Sequence, residues 1–286
     1  MITQEHFDSE VRRIITSAIN EDVGDGDHSS LACIPENARG KAKLLVKDKG
    51  VIGGVNFAKK VFAYVDKSLK IDVLIEDGTE VTFGDIVMYV EGPSQSILKA
   101  ERTVLNAMQR MSAIATKTKL YVDLVKGTKT KILDTRKTTP GIRVLEKWAV
   151  KIGGGENHRF ALYDMIMLKD NHIDFAGGIT KAIETTKQYL KETEKDLLIM
   201  VEARNLLEVE EILRNDGIHR ILLDNFDYED TRKAVKLIGD KCLIESSGNI
   251  NETTIRHYAE CGVNYISCGA LTHSVYNMDL SLKAVK

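Results

Sequence analysis

The chain has 286 residues, enough for one large domain or one domain with a smaller companion. Its 43% apolar and 29% charged residues are those of an ordinary soluble globular protein. A net charge of −2 supplies no global field to recruit nucleic acid or an anionic membrane, so any anion site must be local.

Residues 4–20 carry an amphipathic helical pattern with charges throughout, unlike a signal peptide. No apolar run approaches the roughly 20 residues needed to span a bilayer. Residues 21–27 resemble part of a calcium loop but lack its distal Glu, and read as a solvated turn. Strand-like runs follow at 41–47, 69–75 and 86–92, separated by Gly and Asp turns such as Asp77-Gly78 and Phe83-Gly84-Asp85. A helical pattern at 56–64 lies among them, so this stretch reads as a small α+β domain. A long helical stretch then covers 101–126, with apolar Val104, Leu105, Met108, Met111 and Ile114.

Beyond it one arrangement recurs: a short apolar run ends in a polar or charged residue, and a helical segment follows. The runs are 131–136, 164–169, 197–202, 220–224, 243–247 and 265–269, spaced by roughly 22 to 33 residues, which suits a strand plus a crossover helix. They are almost wholly apolar before their last residue, as parallel strands covered on both faces are. Such a βα array is either a barrel or a doubly wound sheet, and the barrel is favoured. The four cysteines show no CxxC pair or zinc spacing. Cys242 and Cys268 fall in apolar runs as small core filler, which suits a reduced, cytoplasmic protein.

The run ends collect Arg136, Lys137, Lys169, Glu202, Asp224, Ser247, Gly248 and Gly269, with His158 and Arg159 just before the second run. Charges also end strands simply because strands emerge into water. A single residue would support no more than that, but six successive ends with sorted chemistry point to a site at the face where barrels carry theirs. Arg136 and Arg159 can grip planar carboxylates bidentately, which suits a small dicarboxylate. Lys169 is a point charge for the same ligand, or a base if burial lowers its pKa. Glu202 and Asp224 can hold Mg²⁺, directly or through water. Ser247-Gly248-Asn249 and Gly269-Ala270 each precede an expected helix and can cradle a phosphate. Gly153-Gly154-Gly155 precedes a strand and is therefore no dinucleotide fingerprint. The histidines at 6, 219 and 257 read as surface or helix-face residues. Together these groups suggest chemistry on a phosphosugar diphosphate.

Six strings carry a further resemblance: Glu101-Arg102-Thr103-Val104-Leu105-Asn106, Asp134-Thr135-Arg136-Lys137-Thr138-Thr139-Pro140-Gly141, Gly153-Gly154-Gly155-Glu156-Asn157-His158-Arg159, Leu168-Lys169-Asp170-Asn171-His172, Ser246-Ser247-Gly248-Asn249 and Gly269-Ala270-Leu271-Thr272-His273-Ser274. In this order the chain closely resembles the quinolinate phosphoribosyltransferase family. The resemblance implies an N-terminal α/β sandwich domain (1–112, with the tail 275–286 packing on it) and an open, seven-stranded α/β barrel (113–274). It implies a homodimer whose active sites are shared between subunits. The reaction would join quinolinate to phosphoribosyl pyrophosphate with Mg²⁺, releasing CO₂ and giving nicotinate mononucleotide for NAD synthesis. Thr135, Arg136, His158, Arg159 and Lys169 would line the quinolinate pocket, with Arg102 coming from the neighbouring subunit. Lys137 would meet the pyrophosphate, Glu202 and Asp224 the ribose hydroxyls and the metal, and Ser247, Gly248, Asn249, Gly269 and His273 the 5′-phosphate region. Lys137, Lys169, Glu202 and Asp224 would be the catalytic set. One departure is Ala203 after Glu202, where the family more often has valine. A sister enzyme of the same fold would lack part of the cationic cluster, and a silent phosphosugar-binding protein would lack Lys137 or one acid. All are present. The sequence has no paired acids followed by the Thr-Gly-x-Thr loop of the common nucleotide-type phosphoribosyltransferases.

Overall fold

The structure is a computed structural model that describes residues 2–285. The chain forms two compact units, one of Ile2–Lys119, Lys137–Gly154 and residues 271–285, the other of Leu120–Arg136 and Gly155–Ala270.

The first unit opens with α1 (Gln4–Val23), whose first turn is capped by the Thr3 hydroxyl accepting from the His6 N–H at 3.2 Å. Val11, Ile14, Ile15 and Ile19 recur at helical spacing and are the buried face of that helix. α2 (His28–Cys33) follows a turn and is capped by Asp27, which accepts from the Ser30 N–H. The solvated turn expected at 21–27 thus shrinks to the few residues between the two helices. Next come β1 (Arg39–Val46), β2 (Gly50–Val51), α3 (Val55–Val65), β3 (Lys70–Val73), β4 (Glu80–Val81), β5 (Ile86–Pro93) and the long α4 (Ser94–Leu124). Strand β1 alternates as a half-covered strand should: Ala42, Leu44 and Val46 are buried while Arg39 and Lys41 are exposed. Its buried side belongs to the same core as Phe57, Val61 and Phe62 of α3 and Val104, Met108 and Met111 of α4.

The second unit holds β6 (Lys131–Leu133), β7 (Ile166–Leu168), α6 (Asp170–Ala176), α7 (Ile179–Glu192), β8 (Ile199–Ala203), α8 (Leu206–Leu213), β9 (Arg220–Asp224), α9 (Tyr228–Ile238), β10 (Leu243–Ser247), α10 (Ile255–Glu260) and β11 (Tyr265–Ser267). Between β6 and β7 the chain contributes α5 (Arg143–Ile152) to the first unit. It ends with α11 (Ala270–His273) and β12 (Leu280–Ala284).

Strand order decides between the two candidate architectures. β7 to β11 lie side by side in sequence order, and β6 pairs with β11 instead of β7. The first strand therefore meets the last, all in parallel, and the sheet curls into an α/β barrel. A doubly wound sheet would reverse its strand order partway. The family resemblance implied seven strands, whereas six are hydrogen-bonded as strands. The seventh place is a single bridge, Leu133 to Glu156, on the free side of β6. Gly153 and Gly154 explain why it is so short. A Cβ at Gly153 would overlap the Ala115 carbonyl oxygen, and Gly154 is left-handed at φ +88°, so the chain turns too sharply there to extend.

The compact units cut the chain at other places than the division expected at residue 112. α4 runs unbroken past it to Leu124, because its apolar stripe continues through Met111, Ile114 and Ala115. Residues 137–154, expected in the barrel, belong to the first unit. There Phe7 and Trp148 meet edge to face with ring centres 5.0 Å apart, and Arg13 donates to the Gly141 carbonyl at 2.8 Å. Strand β12 pairs antiparallel with β1, from Ala42 opposite Ala284 to Val46 opposite Leu280. Cys242 is half-buried and precedes β10 rather than lying within it, whereas Cys268 is buried. His219 is half-buried just before β9, where burial and then the Arg220 charge lower its pKa. Among the described residues no helix is long and apolar enough to cross a membrane.

Candidate active site

Parallel strands put their C-terminal ends on one face, and the barrel unit gathers its polar groups there. Glu202 is the penultimate residue of β8 and is buried, at 8% exposure. Burial raises its pKa first and the charge of Asp224 second, with Lys169 pulling the other way. The two acids and the lysine thus share one electrostatic neighbourhood. Asp224, at the end of β9, accepts from the Ser247 hydroxyl at 3.0 Å and from its neighbour Asn225 at 2.7 Å. Ser247 faces Asp224 directly in the strand register. Lys169 is exposed at the start of α6, its backbone N–H donating to His172 Nδ1 at 3.0 Å.

The cationic side of the same unit is partly buried. Arg159 is 8% exposed, and its pKa is lowered first by burial and then by the nearby Arg136 charge, with Asp164 opposing. Arg159 donates to the Met165 carbonyl at 2.9 Å, so its fork is held by backbone. Two like charges that act on each other, one of them buried, suit an anion. Thr135 lies half-buried beside Arg136 in the chain.

His158 has a hydrogen bond at one ring nitrogen and a carboxylate near the other. Nδ1 accepts from the Arg159 N–H at 2.7 Å, so a neutral ring carries its proton on Nε2, which lies 3.5 Å from Glu245. Glu245 is fully buried and takes Arg220 Nη1 at 2.6 Å, while the Arg220 guanidinium sits 4.2 Å over the Tyr265 ring. Period-two alternation puts Glu245 and Ser247 on one face of β10, so this ionic layer lies one step below the strand ends. Asp134, also fully buried, accepts from Asn157 Nδ2 at 2.6 Å and the His158 N–H at 2.9 Å. It orients the loop that carries His158 and Arg159. Asp134, Glu245, Arg220 and Asp164 have no role in the sequence reading. A signal existed for two of them: charges inside otherwise apolar parallel strands, at 220 and 245, need each other.

The expected phosphate turns differ. Gly248 is left-handed at φ +95°, and a Cβ there would overlap the Asn225 side chain and meet its backbone nitrogen at 2.9 Å, so glycine is required. Asn249 is exposed and left-handed at φ +51°. No helix starts straight after these residues, because α10 begins only at Ile255 and a turn precedes it. Gly269 is half-buried and followed at once by the single-turn α11.

Three expected site residues belong to the other compact unit. Lys137 is exposed, with its carbonyl accepting from the Thr272 hydroxyl at 2.8 Å. His273 is exposed, with Nδ1 2.6 Å from the Ser274 hydroxyl. Arg102 is exposed on α4 and lines a cavity of about 260 Å³ with Glu21, Asp22, Asn106 and Arg110.

Two family models match the chain, quinolinate phosphoribosyl transferase N-terminal domain over residues 27–112 and C-terminal domain over residues 114–283. The chain belongs to the quinolinate phosphoribosyltransferase family. It is 43% identical over 97% of its length to a rice protein named nicotinate-nucleotide pyrophosphorylase [carboxylating], chloroplastic, covering 78% of that protein. A tobacco quinolinate phosphoribosyltransferase [decarboxylating] 1b is equally similar at 43%, again over 97% of this chain and covering 83% of the relative. Among solved structures, NadC from Streptococcus pyogenes superposes with a TM-score of 0.90 at 36% identity, covering 100% of this chain and 99% of the other. The nicotinate-nucleotide pyrophosphorylase from Francisella tularensis gives 0.89 at 36% identity over 97% and 96% of the two chains. The family's two-domain description is matched here by an antiparallel sheet unit and a parallel barrel.

Proposed function

We propose that this chain transfers the phosphoribosyl group of phosphoribosyl pyrophosphate to quinolinate with loss of CO₂, giving nicotinate mononucleotide and pyrophosphate in de novo NAD synthesis. One observation carries the reading: in a member of this family, two clustered guanidiniums, Arg136 and Arg159, share a barrel unit with the Glu202/Asp224 acids and Lys169. Cations for a dicarboxylate and acids for a sugar–metal complex are what the two substrates need.

Arg136, Arg159 and Lys169 bind the carboxylates of quinolinate, with Thr135 and His158 completing the pocket and Arg102 entering from the partner of a homodimer. Lys137 meets the departing diphosphate. Ser247, Gly248, Asn249, Gly269 and His273 hold the 5′-phosphate. Glu202 and Asp224 are paired hard oxygens whose mutual repulsion a cation would relieve, which suits Mg²⁺ held directly or through water. Bound there, Mg²⁺ would supply positive charge beside the ribose hydroxyls and the leaving diphosphate.

The C1′–oxygen bond breaks with its electron pair leaving on pyrophosphate, while positive charge builds on the ribose ring. Lys137 neutralises the charge that leaves, and the Glu202/Asp224 acids stabilise the charge that grows. The pyridine nitrogen, hindered by its ortho carboxylate, forms the new bond only if the cations fix its angle. The glycosylated ring is cationic. The bond to the 2-carboxylate then breaks, its pair remaining on C2 beside N⁺ until a proton arrives, so glycosylation precedes decarboxylation. The 3-carboxylate stays bound to its arginine. A cytoplasmic setting suits four cysteines none of which is in a disulfide.

The direct test combines purified protein, quinolinate, phosphoribosyl pyrophosphate and Mg²⁺, and follows nicotinate mononucleotide and CO₂. Absence of both products sinks the assignment. The division of labour has its own test. Asp224→Asn should bind quinolinate within about twofold of the parent in calorimetry, while Mg²⁺-dependent affinity for phosphoribosyl pyrophosphate falls at least ~10-fold. Collapse of quinolinate affinity with normal diphosphate binding would reverse the two roles.

A further inference from the structure

An ion pair inside the first unit reaches both segments that carry phosphate-binding residues. Glu146 of α5 is fully buried and accepts four hydrogen bonds. Arg110 Nε and Nη2 donate to Oε1 at 3.0 and 2.9 Å, the Thr139 hydroxyl to the same oxygen at 2.8 Å, and the Thr139 N–H to Oε2 at 3.0 Å. Arg110 Nη2 also donates to the Thr272 carbonyl at 2.5 Å. The Thr272 hydroxyl in turn donates to the Lys137 carbonyl at 2.8 Å. Residues 137 and 139 on one segment and 272 on the other are thereby tied through one charged centre. Arg143 adds a bond to the Thr138 hydroxyl at 2.9 Å.

We propose that Glu146, Arg110 and Thr272 form a positioning device that sets the span between Lys137 and His273. This rests on the roles given above to Lys137 at the diphosphate and His273 at the 5′-phosphate. Those groups sit at opposite ends of one substrate, so the separation of their backbones is a specificity element. Both side chains are long or exposed and cannot hold that distance alone. The Thr272 hydroxyl ties its own segment to the Lys137 backbone carbonyl, and Arg110 fixes the Thr272 carbonyl from the other side. The buried carboxylate is satisfied at both oxygens, so the arrangement exists before substrate arrives and costs no reorganisation during the reaction. Lysine in place of Arg110 has a single nitrogen and cannot reproduce the fork that reaches both Glu146 and Thr272.

Glu146→Gln leaves the Arg110 charge without its counter-ion and threatens the fold itself, so the decisive variants are at Thr272. Thr272→Val removes the hydroxyl at nearly constant volume, and Thr272→Ser keeps it. Steady-state kinetics with both substrates should show KM for phosphoribosyl pyrophosphate raised about tenfold in Thr272→Val, with KM for quinolinate within about twofold of the parent. Thr272→Ser should lie within about twofold of the parent in both constants, since it keeps the hydroxyl. Thermal melts of the two variants accompany the kinetics. Equal losses in Thr272→Val and Thr272→Ser, or a parallel loss for both substrates, would make the network merely structural and overturn the proposal. An unchanged Thr272→Val overturns it too. A parent protein that fails to convert the two substrates overturns the functional reading and this assignment with it, whereas an active parent isolates the fault in the network.

Discussion

Nicotinate is expected to react with phosphoribosyl pyrophosphate at least ~10³-fold less efficiently than quinolinate. Intrinsic chemistry points the other way, because nicotinate lacks the ortho carboxylate that hinders the ring nitrogen and needs no decarboxylation. Any preference for quinolinate must therefore come from the site. Arg159 is 8% exposed and is already disfavoured by burial and by Arg136. A ligand with one carboxylate leaves part of that cationic cluster without its anion, and an unpaired buried charge costs several kcal/mol. About 4 kcal/mol in the transition state corresponds to the ~10³-fold ratio. Both acids yield nicotinate mononucleotide, so one product assay measures kcat/KM for each, and CO₂ appears only with quinolinate. Comparable values for the two acids would overturn the substrate assignment.

Mixing two inactive variants is expected to restore activity. Arg102 is exposed on α4, and by sequence alone it is no more than a solvated helix residue. It lines a cavity of about 260 Å³ in the unit that does not contain Arg136, Arg159 or Lys169. If Arg102 serves the partner's quinolinate pocket in a homodimer, Arg102→Ala and Lys169→Ala should each abolish activity, because every site lacks one cation. In the mixed dimer one site has Lys169 from its own chain and Arg102 from the other. The second site lacks both. Random exchange makes about half the dimers mixed, each with one intact site, so about a quarter of the parent activity should return. Mass spectrometry establishes the exchange. Proven heterodimers with no recovery would put Arg102 in its own chain's site or in none, and the shared-site reading would fall.

The strands and helices of this protein are written locally. Apolar runs at 220–224 and 243–247 become β9 and β10 over those same residues, and the stripe through Val104, Met108 and Met111 marks α4. The chemistry at strand ends is local too, since a parallel strand buried on both faces places a charge at least cost where it emerges, as at Glu202 and Asp224. Three matters depended on residues far apart in the chain. The choice of a barrel over a doubly wound sheet rests on β6 meeting β11, across more than a hundred residues, and no periodicity encodes a pairing partner. Residues 137–154 look like part of the barrel because they lie between two of its strands. They join the first unit because Glu146 finds Arg110 there and Trp148 finds Phe7. The same limit hid the pair Arg220 and Glu245. Each alone is an implausible charge in an apolar strand, and only the packing of β9 beside β10 brings them within 2.6 Å of one another. Burial of a charge is tolerable when a partner sits within hydrogen-bond reach, and that reach is a property of space, which sequence spacing does not carry.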